Sequence, residues 1–226
     1  MVGVRLDSGD LAWLSREARR ILDEGGFPRA QVLASNDLDE TLIADLKRQG
    51  AAIGVWGVGT RLVTGFGDPA LGGVYKLTAI REAGGDWEDR VKVSEQTIKT
   101  TNPGILQVRR FRQGNEPIGD VIYDERDGLG ATPTMVDPLD LTRRKQIPAE
   151  AEGEDLLIPV FRGGERVYDP PGLEEIRRRV GEQLAGFHAG VKRFVNPHRY
   201  PVGLELCYFE RKTRLVMEAR GKGRGK

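Results

Sequence analysis

Apolar positions at the start of the chain fall into a repeated strand-then-helix pattern. Val2-Gly3-Val4-Arg5-Leu6 reads as a short strand that runs out at Asp7-Ser8-Gly9-Asp10. Helical spacing follows from Leu11 to Asp23, with Leu11, Leu14, Ala18, Ile21 and Leu22 on one face, and Gly25-Gly26 and Pro28 stop it. Val32 to Ser35 reads as a second strand. Asp37 with Glu40 forms a D-x-x-E capping box for a second helix that buries Leu38, Leu42, Ile43 and Leu46 and closes at Gly50. Ala51 to Val55 reads as a third strand, leading into Gly57-Val58-Gly59-Thr60. Consecutive βα units of this kind imply a parallel sheet or a barrel.

From Val74 the periodicity changes. Val74–Ile80, Arg90–Val93, Ile105–Phe111 and Ile118–Tyr123 read as short strands between Gly, Asn, Asp and Pro clusters. Leu156–Phe161 and Glu165–Tyr168 read as a hairpin about Gly163-Gly164. A helix is expected over Leu173–Leu184, an irregular turn over Pro197–Pro201, and a terminal helix over Leu204–Ala219. The chain thus divides into βα units at 1–72, a β-rich region at 73–170 and a helical segment with a basic tail at 171–226. The fold class is α/β: part of an irregular TIM-like barrel, a β-rich region and C-terminal helices.

Composition narrows the function classes. Thirty-five basic residues face 34 acidic ones, a formal charge of +1, so nothing points to a nucleic-acid or membrane surface. Cys207 is the single cysteine, which rules out an intrachain disulfide. With no apolar run long enough for a bilayer and no signal peptide, a cytoplasmic location is expected. A strand that begins directly after Met1 suggests a chain cut from something longer.

In parallel βα architectures, chemistry gathers where strands end. Three such ends occur here: Arg5/Asp7 with Ser8-Gly9-Asp10, Ser35-Asn36-Asp37, and Gly57-Val58-Gly59-Thr60. Parallel neighbours would carry all three to one rim. Glycines in the third cluster let an anion approach backbone N–H groups, and Thr60 adds a hydroxyl, although a glycine-rich turn is also simply a turn. Arg5 and Asp7 flank Leu6 and so share a face of the strand. They form either a structural ion pair or a grip on a polar ligand, with Asp7 accepting from sugar hydroxyls or helping to hold Mg²⁺. Asp37 is explained as a helix N-cap, so an anion there would use backbone amides near Asn36 and Asp37. His188 and His198 lack metal-ligand spacing, and Cys207 lacks a nearby base. Arg109-Arg110 and Arg177-Arg178-Arg179 read as solvated faces, and Trp13, Trp56 and Trp87 as packing residues.

Val4-Arg5-Leu6-Asp7-Ser8-Gly9-Asp10-Leu11, Ser35-Asn36-Asp37-Leu38-Asp39 and the string Gly57-Val58-Gly59-Thr60 with Asp68-Pro69-Ala70-Leu71-Gly72-Gly73-Val74-Tyr75-Lys76-Leu77 resemble the later barrel motifs of nicotinate phosphoribosyltransferases. Arg193-Phe194-x-Asn196-Pro197-His198-x-Tyr200-Pro201-Val202-Gly203-Leu204 resembles that family's closing segment. The resemblance implies a type II phosphoribosyltransferase that joins nicotinate to 5-phosphoribosyl-1-diphosphate, coupled to ATP hydrolysis, in NAD biosynthesis, with Mg²⁺ accompanying the diphosphate. It implies Arg5, Asp7 and Ser8 at base and ribose, and Asn36, Asp37, Gly57, Gly59 and Thr60 around the 5-phosphate. It also implies a homodimer.

The family's phosphorylated histidine and its nicotinate-stacking residues lie upstream, so no catalytic residue is expected in this chain. An isolated chain is expected to be inactive and to need an N-terminal half. Alternatives are a non-catalytic phosphate-binding or regulatory module of the same fold, a related enzyme for nicotinamide or another pyridine, and an unrelated phosphosugar-binding enzyme.

Overall fold

The computed structural model describes residues 2–70, 72–96 and 99–222. The chain divides into two compact units, Met1–Val74 and Tyr75–Lys226. The basic tail beyond Lys222, and Leu71 within the long motif string, lie outside the described residues.

The first unit follows the order β1 (Gly3–Leu6), α1 (Leu11–Glu24), β2 (Gln31–Ser35), α2 (Glu40–Arg48), β3 (Val55–Gly57), α3 (Thr60–Val63). Its three strands form one parallel sheet in the order β1-β2-β3, with Leu6 opposite Ala34 and Ser35 opposite Gly57. Asp10 caps α1 by accepting from the Trp13 N–H at 3.0 Å. The buried face of α1 carries Leu11, Ala12, Ser15 and Leu22, whereas Ile21, expected there, is 59% exposed. Ser15 is buried at no polar cost, because its hydroxyl donates to Ala12 O and accepts from the Ala52 N–H. Leu11, Ala12, Ala34, Leu38 and Leu46 form the core between sheet and helices.

Two expectations are corrected here. Asp37 does not cap α2. The N-cap is Asp39, whose carboxylate accepts from the Leu42 N–H at 2.8 Å. Leu38 is fully buried, and that apolar anchor sets the helix start two residues beyond the expected cap. The third strand is Val55–Gly57 rather than Ala51–Val55. Residues Ala51 and Ile53 pack against the core before the ladder with β2 begins at the Leu33–Val55 pair.

In the second unit, Ala79–Ile80 (β4) and Glu88–Asp89 (β5) make a short ladder. Tyr75 and Leu77 are exposed, so the expected strands over Val74–Ile80 and Arg90–Val93 reduce to these two residue pairs. A six-stranded mixed sheet dominates the unit. Its strands are β6 (Leu106–Gln113), β7 (Glu116–Asp124), β8 (Thr134–Asp137), β9 (Asp140–Gln146), β10 (Glu152–Asp155) and, after the small hairpin β11 (Phe161–Arg162) and β12 (Glu165–Arg166), β13 (Val202–Glu205). The order is β10-β6-β7-β13-β8-β9. Helices α4 (Leu173–Gly186) and α5 (Leu206–Lys222) complete it.

The hairpin turns at Gly163-Gly164 as expected, but with two-residue arms. The expected terminal helix starting at Leu204 is corrected: Val202–Glu205 is a strand, parallel to β7 and antiparallel to β8, and helix begins at Leu206. Close approach explains its glycine, since a Cβ on Gly203 would sit 2.5 Å from both Met135 Cγ and Val136 O.

Candidate functional site

Parallel pairing of β1, β2 and β3 brings their carboxyl ends to one edge of the first unit's sheet. Arg5 and Asp7 belong to the first end, Asn36 and Asp37 to the second, Gly57, Gly59 and Thr60 to the third. Two of the ends are joined by a residue to which the sequence had given no role. The Ser35 hydroxyl donates to Asp7 Oδ1 at 2.7 Å and accepts from Arg5 Nη1 at 2.9 Å. Arg5 Nη1 also lies 3.1 Å from Asp7 Oδ1, with the side chains 61% and 59% exposed. Both contacts of Asp7 fall on Oδ1, and the second carboxylate oxygen takes part in neither. Strand alternation was the available signal for Ser35, whose partner across β3 is Gly57, a residue with no side chain to compete for the same space.

The backbone leaves β2 through two successive residues of positive φ, Asn36 at 116° and Asp37 at 43°. Asn and Asp tolerate this region better than most residues, though it is sparsely populated for any side chain. The next turn begins with Gly59 before α3, where the N–H groups of Leu62 and Val63 both reach Gly59 O at 3.0 Å. As the first residues of a helical turn, Thr60 and Arg61 have N–H groups without an intrahelical acceptor. A Cβ placed on Gly59 would meet nothing within 4 Å, so the backbone is open to a ligand on that side. Ser8 and Gly9 are exposed, with Gly9 at a φ of 81°.

Beside this edge, Arg61 pairs with Asp39 at 3.4 Å and lies over the Phe66 ring at 4.0 Å. Both border an apolar pocket of about 360 Å³ shared with Ile43, Val58 and Leu62.

Charged groups in the second unit are arranged differently. Asp124 is fully buried: Oδ1 accepts from Arg126 N–H and Nε at 2.9 Å, and Oδ2 faces the guanidinium groups of Arg126 and Arg211. Burial pushes its carboxyl upward, but the hydrogen bonds from Arg126 and Arg211 outweigh this and hold it down at about 2. Arg110 and Asp120 form a bidentate pair at 2.9 and 2.8 Å that the Tyr200 hydroxyl joins at 2.8 Å. Arg109 binds Asp155 in the same bidentate way, at 2.7 and 2.6 Å. The expectation of a solvated Arg109-Arg110 face is therefore corrected: both side chains are committed to carboxylates, one pair largely buried. Trp56 packs on the first unit's core, whereas Trp13 and Trp87 are 53% and 40% exposed, against expectation.

The histidines stack face to face, centroids 6.0 Å apart, with His188 Nδ1 accepting from the Gly190 N–H. Among the described residues no group of three or more His, Cys, Asp or Glu side chains could hold a metal. The Cys207 thiol is pushed up, first by the nearby Glu205 charge, which disfavours a nucleophilic thiolate. No helix among the described residues is long and apolar enough to cross a membrane.

Residues 106–212 match a family described as the nicotinate phosphoribosyltransferase C-terminal domain. The nicotinate phosphoribosyltransferase of Bacillus subtilis is 40% identical over 225 residues, covering 98% of this chain and 46% of the relative. That of Dictyostelium discoideum is 32% identical, covering 92% of this chain and 38% of the relative. The crystal structure of human nicotinic acid phosphoribosyltransferase superposes with a TM-score of 0.66 at 25% identity, covering 96% of this chain and 40% of that one. The chain thus spans less than half the length of these relatives. On this combined sequence and structural match, the chain belongs to the nicotinate phosphoribosyltransferase family, as a C-terminal portion.

Proposed function

We propose that the chain forms the phosphoribosyl-holding part of a nicotinate phosphoribosyltransferase, which makes nicotinate mononucleotide from nicotinate and 5-phosphoribosyl-1-diphosphate with ATP hydrolysis. The observation that carries this reading is the shared edge of β1, β2 and β3, where a polar pair, a positive-φ turn and an open glycine turn stand side by side. Arg5, Asp7 and Ser8 face base and ribose. Asn36, Asp37, Gly57, Gly59 and Thr60 hold the 5-phosphate through backbone N–H groups and the Thr60 hydroxyl. Positive φ at two adjacent non-glycine residues fits a turn kept for ligand geometry.

Loss of diphosphate leaves positive charge on the ribose and negative charge on the departing group. A fixed 5-phosphate and nearby counter-charge favour that separation. Mg²⁺ would neutralise the diphosphate. A single carboxylate, Asp7, suits an ion held mostly by substrate oxygens and water, since Mg²⁺ sites of this type use only one or two carboxylates.

The reaction is completed elsewhere. The sequence of the first unit contains no histidine, and its Leu62, Val63 and Phe66 are 70%, 86% and 68% exposed. An N-terminal half, as a separate chain or as further sequence, would close a TIM-like barrel over this surface and supply the ATP-coupled histidine and the nicotinate contacts. A homodimer in the cytoplasm is the expected assembly.

Purified chain is to be assayed for nicotinate mononucleotide with nicotinate, phosphoribosyl diphosphate, ATP and Mg²⁺, alone and with the N-terminal half of the Bacillus subtilis relative. Turnover only in the mixture, reduced at least roughly tenfold by Thr60→Val together with Gly59→Pro, is the expected result. Turnover by the chain alone would overturn the division of the site. An active mixture indifferent to those substitutions would overturn the phosphate assignment.

A further inference from the structure

Strands β8 and β9 and the turn entering β13 converge on a pocket of about 210 Å³ in the second unit. Its floor is apolar, made by Met135, Pro201 and Val202, while Arg143, Arg144, Lys145 and Arg199 line its basic side. The β8–β9 ladder sets Met135 opposite Lys145. Arg143 follows at the register shift between the Val136–Arg144 and Asp137–Asp140 pairs and lines the same pocket. Asp137 is the one carboxylate among the lining residues, against four cations.

These cations keep donors available. Arg143 meets Asp140 at 3.2 Å and Arg199 meets Asp137 at 3.5 Å, each arginine being more than 60% exposed. The Arg143–Asp140 pair, exposed on both sides, contributes roughly 0–1 kcal/mol and yields to an incoming anion at little cost, while Arg199 rests on the largely covered Asp137 with most of its own guanidinium in water. Each guanidinium has further N–H groups to offer, and the Lys145 ammonium uses one of its protons on Ile118 O at 2.6 Å. Asp137 is already engaged, accepting from the Leu139 N–H at 2.9 Å and facing Arg199. An excess of positive charge over an apolar floor fits a ligand with an anionic head and an apolar body. A bare inorganic ion would leave the floor wet, and a neutral ring would leave the cations unmatched.

We infer that this pocket binds a small organic phosphate, its phosphate on Arg143, Lys145 and Arg199 and its apolar part against Met135, Pro201 and Val202. The inference involves only residues of the second unit and does not depend on what the strand-end edge of the first unit holds.

Calorimetry on the full chain at low salt, with adenosine 5′-monophosphate, inorganic phosphate and adenosine as probes, tests it. Saturable binding is expected for the monophosphate, tighter than for either fragment, and weakening as NaCl is raised. Arg143→Ala with Arg199→Ala should weaken it by roughly tenfold or more, whereas Arg178→Ala on α4 should leave it within about twofold. If the double variant loses its native circular dichroism, Arg143→Gln on the exposed edge strand carries the test. Unchanged affinity in these pocket variants, equal weakening by Arg178→Ala, or no saturable binding would overturn the inference. Inorganic phosphate binding as tightly as the monophosphate would overturn the role of the apolar floor.

Discussion

Arginine meets aspartate in both units, under opposite conditions. In the first unit Arg5 and Asp7 pair at the sheet's open edge with most of each side chain in water. In the second, Arg110 and Asp120 are about nine-tenths covered and Asp124 has no exposure. The same chemistry has different consequences. An exposed pair contributes roughly 0–1 kcal/mol and gives up its partner easily, which suits groups that must turn to a ligand. A buried pair cannot be half-made, because a lone buried charge costs several kcal/mol, and that suits groups that hold the fold.

Removing Asp124 breaks this comparison most severely. Asp124→Ala removes the buried carboxylate shared by Arg126 and Arg211, leaving Arg126 to Asp89 and Arg211 to Asp127, while Arg211 Nε is already buried without a hydrogen-bond partner. The expected loss in urea unfolding at pH 7 is about 3–5 kcal/mol. Asp124 titrates lower in the fold, at about 2, than in the unfolded chain, so its contribution is complete above roughly pH 4 and fades as pH falls through 2. That window accounts for about 2 kcal/mol, and Asp124→Asn should flatten the corresponding acid limb. A variant within 1 kcal/mol of the parent would mean that the network does not hold the unit. Gly104 belongs to the same arrangement: its φ is 107° and a Cβ there would lie 2.0 Å from Asp124 Oδ2.

Helix capping gives the next, smaller contrast and shows what the sequence could convey. The βα order of the first unit was legible because burial there follows regular spacing. The starts of β1 and α1 fall within one residue of the sequence reading, and the Asp–Arg, Asn–Asp and Gly–Thr clusters come to one edge as parallel order requires. The cap was misread because D-x-x-E at Asp37–Glu40 competes with Asp39, and only the burial of Leu38 decides between them. In the second unit β9 and β10 were missed for another reason. They are the edges of the six-stranded sheet, and Asp140–Gln146 and Glu152–Asp155 carry charge where an inner strand carries alternating apolar residues. Arg110 read as a surface charge because its partner Asp120 stands on the neighbouring strand, 10 residues away in the chain. Asp39→Ala should cost about 1 kcal/mol and Asp37→Ala clearly less, read by thermal unfolding. Equal losses would restore Asp37 as the cap.

The smallest expected effect is the most informative about the strand-end edge. Arg5→Ala removes one partner of a pair that is already in water, and it leaves no orphaned group, because Asp7 Oδ1 keeps the Ser35 hydroxyl at 2.7 Å. Unfolding free energy should therefore change by less than about 0.5 kcal/mol. Asp7→Asn should behave alike, since the amide oxygen can still accept from Ser35. If both variants unfold like the parent, yet each weakens phosphoribosyl diphosphate binding by roughly tenfold in the mixture with an N-terminal half, the pair is kept for ligand contact. A stability loss of about 2 kcal/mol in either variant would instead make the pair a structural strut, and the two units would then use their charges in the same way.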